Sequence, residues 1–402
     1  MSQPLIDRNI DLKKLMDDGY SVEVRGPFLL VHDIPYVTSD RSVLRGTLVS
    51  TLNLAGDKVT APQDHVVHFI GGQPCHKDGS VIQQIVHQVQ SNVLDQGLTV
   101  DRSFSNKPAE GYSDYYHKMA TYSDIISGPA FSIDSKNTPR RFLPVKTTDT
   151  SSVFAYHDTA SSRAGISALT RKLEDDRVGI IGLGGTGAYI LDLVSKTPVR
   201  QIHLFDGDIF LSHNAFRAPG AASLEELQSQ KTKVRHFTEV YSKFRTGITA
   251  HENFLSADNL EVLGDLDFVF VAIDSGDAKR LILQALEKQG TAYIDCGMGI
   301  EQVGSMLTGQ VRVTTSTDGN RDHVWNKGAI SFADNDRQDA YSQNIQIAEL
   351  NALNAVLAVI KWKKLRGFYL DLEGEMQSVY PIDGNIIINA YKQTDIENTD
   401  AP

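Results

Sequence analysis

Cysteine is scarce. There are two in 402 residues, Cys75 and Cys296. That excludes a disulfide framework and a four-cysteine zinc site, so no zinc is expected, and it fits a reducing cytoplasm. Positive charge is in deficit, with 39 Lys and Arg against 50 Asp and Glu, a net charge of −11. Such a surface is a poor partner for nucleic acid. No apolar run approaches the ~20 residues of a membrane-spanning helix. The first residues, Met1 to Arg8, lack the apolar centre of a signal peptide. Internal repeats are absent. The expectation is a cytoplasmic protein, off the membrane, with room for two or three domains.

What is present centres on Val178-Gly-Ile-Ile-Gly-Leu-Gly-Gly-Thr-Gly187. Apolar residues run into a glycine cluster, then into the helical pattern Ala188–Val194. A second apolar run, Gln201–Phe205, ends in Asp206. Strand, glycine turn, helix, strand and acid together make a nucleotide site. Glycines let the backbone approach phosphate, and a helix N-terminus offers free N–H groups. Taken alone, this pattern also suits a dinucleotide such as NAD.

Upstream, Ser21–Arg25, Phe28–Ile34, Thr47–Leu52 and His65–Ile70 read as a four-stranded antiparallel meander. A loop bearing Cys75 follows. Ile82, Ile85, Val86, Val89 and Val93 then recur at helical spacing behind Ser80 as a cap, which predicts a helix. Residues 1–100 are thus expected as a small α+β domain, and 101–155 as one helix and a linker. Residues 156–392 are expected as an α/β domain with a doubly wound, mostly parallel sheet. Its strands are Val178–Ile181, Gln201–Phe205, Ile248–His251, Phe268–Ile273, Ala292–Asp295 and Gly309–Thr314. A crossover loop is expected over 317–342, and a helix over Gln343–Trp362 with Ile347, Leu350, Leu353, Leu357 and Ile360 as its buried stripe. A last strand is expected near Asn385–Asn389, and an acidic tail at 393–402.

Residues after the glycine turn sharpen the reading. Gly182-Leu-Gly-Gly-Thr-Gly187 presents Gly182, Gly184, Gly185 and Gly187. Asp206 is followed by Asp208, then by Asn214 and Arg217. Lys233 heads a helix, and Asp274 ends a strand. In this order they resemble the ThiF/MoeB-type adenylyltransferases that activate ubiquitin-like proteins, over roughly residues 156–316. The resemblance implies ATP and magnesium as cofactors and adenylation of a C-terminal carboxylate. It implies a ubiquitin-like or sulfur-carrier-like protein partner and a homodimer, in bacterial conjugation pathways. It gives Arg217, Lys233 and Arg163 to the phosphates, Asp274 to magnesium, Asp206 to the ribose, and Asn214 to a phosphate or the Asp208 loop. Bland readings stand beside these. Asp208 suits a turn, Asn214 an Asx-turn, Arg217 and Lys233 a solvated surface, and Asp274 the N-cap of the next helix. Two other function classes stay open: an adenylyltransferase for a sulfur carrier, RNA base or small molecule, and a non-catalytic scaffold on the same fold.

Relatives that pass their substrate onward use a crossover cysteine, and none lies between Arg312 and Asn344. Cys296 reads as a small buried residue. Cys75 lies in Gly71-Gly-Gln-Pro-Cys-His-Lys-Asp-Gly79 after the meander, loosely similar to the acceptor loop of ubiquitin-conjugating enzymes. A transfer role there requires an exposed thiol made acidic by nearby positive charge. A hydroxyl acceptor, Ser80 or Thr314 to Ser316, and an incidental loop cysteine are the other readings.

Overall fold

The computed structural model describes residues 2–146, 152–332 and 345–392. The chain divides into two compact units, Met1–Ser167 and Ala168–Pro402.

In the first unit, β1 (Ser21–Arg25), β2 (Phe28–Val37), β3 (Val43–Thr51) and β4 (Val66–Ile70) form the expected meander. β5 (Val86–Gln88) and β6 (Arg102–Ser105) join it in the order β1-β2-β3-β4-β6-β5, every pair antiparallel. Helices α1 (Ser2–Arg8), α2 (Ile10–Asp17) and α3 (Tyr115–Ile133) complete the unit, and α4 (Thr159–Ala164) lies near its end. Tyr115, Met119, Tyr122 and Ile126 of α3 enter one core with Val31, Leu48, Phe69 and Phe104 of the strands. The helix expected between 101 and 155 is therefore part of this unit's core.

The helix expected across Ile82–Val93 is not formed. A single 3-10 turn, Gln83–Ile85, leads into β5, and Asn92–Asp95 pairs with Leu98–Val100 as a hairpin. The residues at helical spacing are largely β-branched, which stiffens χ1 and favours extended backbone. Val89 and Val93 are 65% and 70% exposed, so no apolar face is gained. Ser80 does not cap a helix, because its hydroxyl and its N–H both donate to the Asp78 carboxylate.

The second unit holds one eight-stranded sheet. Its strands are β7 (Arg177–Ile181), β8 (Gln201–Phe205), β9 (Ile248–His251), β10 (Phe268–Val271), β11 (Ala292–Val303), β12 (Met306–Ser316), β13 (Glu375–Pro381) and β14 (Ile388–Lys392). The order is β9-β8-β7-β10-β11-β12-β13-β14. β9 to β11 run parallel, and β11 to β14 are antiparallel. Side-chain alternation explains why both faces are covered. Val178, Ile180, Phe268 and Phe270 pack on one face, Val269, Val271 and Tyr293 on the other. Helices α5 (Gly185–Ser195), α6 (Lys233–Tyr241) and α8 (Ala348–Leu365) supply the first face. Helix α7 (Gly276–Lys288) supplies the second.

Helix α8 forms as expected but buries a different face. Asn351, Asn354, Ala355, Ala358 and Trp362 are buried, whereas Ile360 is 38% exposed. Small residues let α8 lie close on α5 and the sheet. The larger Leu350, Leu353 and Leu357 sit half-buried at the flanks. Residues 333–342 of the expected crossover loop and the tail 393–402 lie outside the described residues.

Candidate functional site

The order β8-β7-β10 creates a crevice. From β7 the chain moves outward through β8 to β9, then returns to the other side of β7 at β10. Ligands in such sheets bind at the carboxyl ends of the strands where the winding reverses. A cavity of about 690 Å³ opens at this point, lined by the glycine turn, Asp206, Asp208, Arg217, Lys233 and Asp274.

The turn is held by contacts that require glycine. Gly182 has φ +86°, and a Cβ there would sit 2.5 Å from the Ala272 carbonyl oxygen. Gly187 leaves no room either, since its Cβ would fall 1.8 Å from the Gly182 carbonyl oxygen. Gly184, which precedes α5, has open space around it. The first N–H groups of α5 thus begin at the cavity wall. Thr186 donates its hydroxyl to Asn351 Oδ1 at 2.8 Å, which ties α5 to α8.

The acids after β8 form a network. Asp206 Oδ2 accepts from Leu183 N–H at 2.7 Å, and Oδ1 accepts from Asp208 N–H at 2.9 Å. Lys233 Nζ, on the first turn of α6, lies 3.3 Å from Asp206 and 2.7 Å from Asp208. Lys233 is buried, so the surface-charge reading of it does not hold. In this arrangement Asp206 clamps the glycine turn to the next loop.

Arg217 lines the cavity, and its buried Nε has no partner among the described residues. Burial pushes its guanidinium below the usual range, while the Asp274 carboxylate pulls the other way. Asp274 stands one residue outside the N-cap of α7, which is Ser275. Asn214 is buried and does not line the cavity. Its Oδ1 accepts from Leu211 N–H at 2.9 Å, which holds the loop after Asp208. Arg163 belongs to the first unit, where its guanidinium lies 5.4 Å from the Phe142 ring centre.

Cys75 departs from expectation. Its side chain is fully buried, and its Sγ lies 3.5 Å from the Gln73 carbonyl oxygen. Burial pushes the thiol pKa up, and the Asp78 charge adds to this. The exposed, acidified thiol that a transfer role requires is therefore absent from this conformation. The reason is local. Cys75 bridges to both Val37 and Val81, which turns the loop inward. Thr314, Thr315 and Ser316 are buried within β12, so they do not offer exposed hydroxyls. Cys296 is buried, as expected, with its thiol pKa raised by burial.

Sequence reasoning missed Phe254, Lys279, Arg312, Asn351 and Asn354, all on the cavity wall. A signal existed for the asparagines. They stand three residues apart in the stretch Leu350–Ile360, which is otherwise apolar, and that spacing places both on one helix face. Lys279 and Arg312 carried no such mark, because their positions depend on pairing with Asp295.

Comparison with known proteins covers both units. A family model described as "ThiF family" matches residues 159–363, and one described as "Domain of unknown function (DUF6791)" matches residues 10–159. The chain is 25% identical over 159 residues to ubiquitin-like modifier-activating enzyme 5 of Branchiostoma floridae, covering 37% of this chain and 39% of that one. The Mus musculus protein of the same name is 24% identical over 159 residues, covering 37% and 40%. The chain thus spans about two-fifths of the length of these relatives. Among solved structures, E. coli MccB with MccA aligns with a TM-score of 0.47 and 15% identity, covering 60% of this chain and 73% of that one. PaaA aligns with a TM-score of 0.43 and 18% identity, covering 56% and 75%.

Proposed function

The chain belongs to the ThiF family, and on that premise we propose that it is an ATP-dependent adenylyltransferase. Its substrate would be the C-terminal carboxyl of a ubiquitin-like or sulfur-carrier-like protein. One observation carries the reading: a single cavity joins the N-terminus of α5 to Arg217, Lys233 and Asp274. These residue types suit a triphosphate. The buried Arg217 Nε lacks a partner among the described residues, Gly184 leaves open space at the start of α5, and Lys233 is close enough to exchange a carboxylate for a phosphate oxygen.

The reaction joins two anions. A carboxylate oxygen attacks the α-phosphorus, an O–P bond forms, and the bond to the pyrophosphate oxygen breaks. No proton need move. The work is positioning and charge neutralisation, and Arg217 and Lys233 supply it. Asp274 is the residue that would hold magnesium. No cluster of three or more His, Cys, Asp or Glu side chains occurs among the described residues. The rest of such a shell would come from phosphate oxygens and water. Phe254, 65% exposed on the cavity wall, suits stacking with the base. The same reading includes a cytoplasmic homodimer in which Arg163 reaches a nucleotide; sedimentation of the full chain tests the dimer.

The test mixes the full chain with ATP, magnesium and candidate carrier proteins, with mass spectrometry and pyrophosphate exchange as readouts. Exchange that depends on a carrier protein supports the reading. Exchange driven by a small molecule overturns the carrier assignment. Thermal stabilisation by NADH and not by ATP overturns the nucleotide.

A further inference from the structure

Helices α5 and α8 meet along small residues. Ala188 of α5 and Ala355 and Ala358 of α8 are wholly buried in one core. One turn before Ala355, on the cavity wall, stands Asn351, 1% exposed. An alanine there would continue the seam without burying an amide. An amide is costly to bury unless both its ends find partners, and here both do. Its Oδ1 accepts from the Thr186 hydroxyl at 2.8 Å, and its Nδ2–H donates to the Ile347 carbonyl at 3.1 Å. With both ends engaged, Asn351 is a fixture of the wall rather than a group awaiting a ligand.

A second observation concerns Gly185. A Cβ there would lie 2.2 Å from Asn351 Cγ and Nδ2. The amide therefore rests on the backbone of the first residue of α5, and the bonds at its two ends keep it from giving way. Gly184, one residue earlier, has open space. The two glycines thus divide the work: Gly184 leaves room at the start of α5, and Gly185 admits α8. No side chain caps α5, and the first N–H groups of a helix have no partner within it. Their position depends on what holds the backbone, which is the Asn351 contact and the Thr186 bond.

We propose that Thr186 and Asn351 are positioning residues for phosphate: through them α8 fixes the first-turn N–H groups of α5 where anionic oxygens bind. Neither side chain touches the ligand. The proposal rests on the nucleotide reading for its purpose, but anion affinity is measured separately from adenylation.

The affinities of the full chain for ATP with magnesium and for inorganic tripolyphosphate are measured by titration calorimetry, well below the melting temperature. Thr186→Val keeps the shape and removes the donor. It should weaken both ligands about fivefold, the size expected for one buried hydrogen bond. Thr186→Ser keeps the hydroxyl and should stay within about twofold of the unaltered chain. Asn351→Ala should weaken both ligands at least as much as Thr186→Val does. Adding Thr186→Val to it should cost nothing further, because the two side chains act as one unit. A bond that serves stability alone would lower the melting temperature of Thr186→Val and leave both affinities of the folded protein unchanged, and that result overturns the proposal. So do equal losses in Thr186→Ser and Thr186→Val, effects that multiply in the double variant, or an unaltered chain that binds neither ligand. If Asn351→Ala does not fold, the two Thr186 variants decide alone. Carrier-dependent pyrophosphate exchange is read in parallel. Tripolyphosphate binding that depends on the Thr186 hydroxyl, without exchange under any carrier, defeats the adenylation reading and leaves the positioning roles standing. Exchange in the unaltered chain, with Thr186→Val binding both ligands normally, does the reverse.

Discussion

At the scale of single residues, the site is made of groups whose neighbours leave little choice. Gly182→Ala would place a methyl 2.5 Å from the Ala272 carbonyl oxygen at φ +86°. It is expected to cost at least ~2 kcal/mol and about 5 °C in the melting temperature of its unit. Gly184→Ala, with open space, should change stability far less, and calorimetry of the two variants checks the contrast. Lys233→Met keeps the stem of the side chain and removes the charge that faces Asp206 and Asp208. Carrier-dependent pyrophosphate exchange is expected to fall ~100-fold or more. Cys75 is predicted to react slowly with iodoacetamide at neutral pH in the folded chain and quickly in denaturant, because its thiol is buried and its pKa raised. Rapid alkylation of the native protein would contradict the inward-turned loop.

At the scale of elements, pairing decides what a residue does. Glu23 on β1 accepts from His32 on β2 at 2.8 Å and from Arg25 at 3.0 Å. Burial alone would raise its pKa, but these hydrogen bonds outweigh burial and hold the carboxyl down at about 2. A folded value below the unfolded one stabilises the fold above roughly pH 5, and the benefit is lost as pH falls toward 2. After allowance for solvent screening the contribution is about 1–2 kcal/mol. Glu23→Gln should therefore flatten the acid side of the stability profile of the first unit, measured by urea unfolding between pH 3 and pH 7. Helix α8 offers a second case. Trp362 is fully buried against Phe268 and Phe270. Trp362→Ala is expected to cost ~3–5 kcal/mol.

At the scale of the whole molecule, every residue lining the cavity lies in the unit Ala168–Pro402. ATP with magnesium is therefore expected to slow amide exchange in β7, β10, α5 and α7. The strands β1 to β6 should keep their exchange rates, as hydrogen-exchange mass spectrometry would show. Slowing across β1 to β6 of comparable size would count against a site confined to the second unit. No helix among the described residues is long and apolar enough to cross a membrane. The sequence's pattern of strands in the second unit was legible because parallel strands buried on both faces read as unbroken apolar runs.

The residues themselves determined the glycine turn and the acid that follows it. Gly182 and Gly187 are legible because a side chain at either would meet a backbone carbonyl, with Gly182 also in a left-handed turn, so chemistry and local geometry coincide. The meander of β1 to β4 was legible for a similar reason, since alternation is a local property. Other features waited for tertiary contacts. Ile82 to Val93 carry helical spacing, yet the segment pairs as strands because no surface exists to bury its stripe. The buried face of α8 was misread because small size, rather than hydrophobicity, lets Ala355 and Ala358 approach the sheet. That turns Asn351 and Asn354 toward the cavity. Cys75 looks exposed in a polar loop and is sealed by bridges to Val37 and Val81. Lys279, Asp295 and Arg312 come from three elements, and only the packing of α7, β11 and β12 makes them one group. What depends on neighbours in sequence could be read from it. What depends on neighbours in space could not, because burial, pairing and pKa belong to the assembled fold.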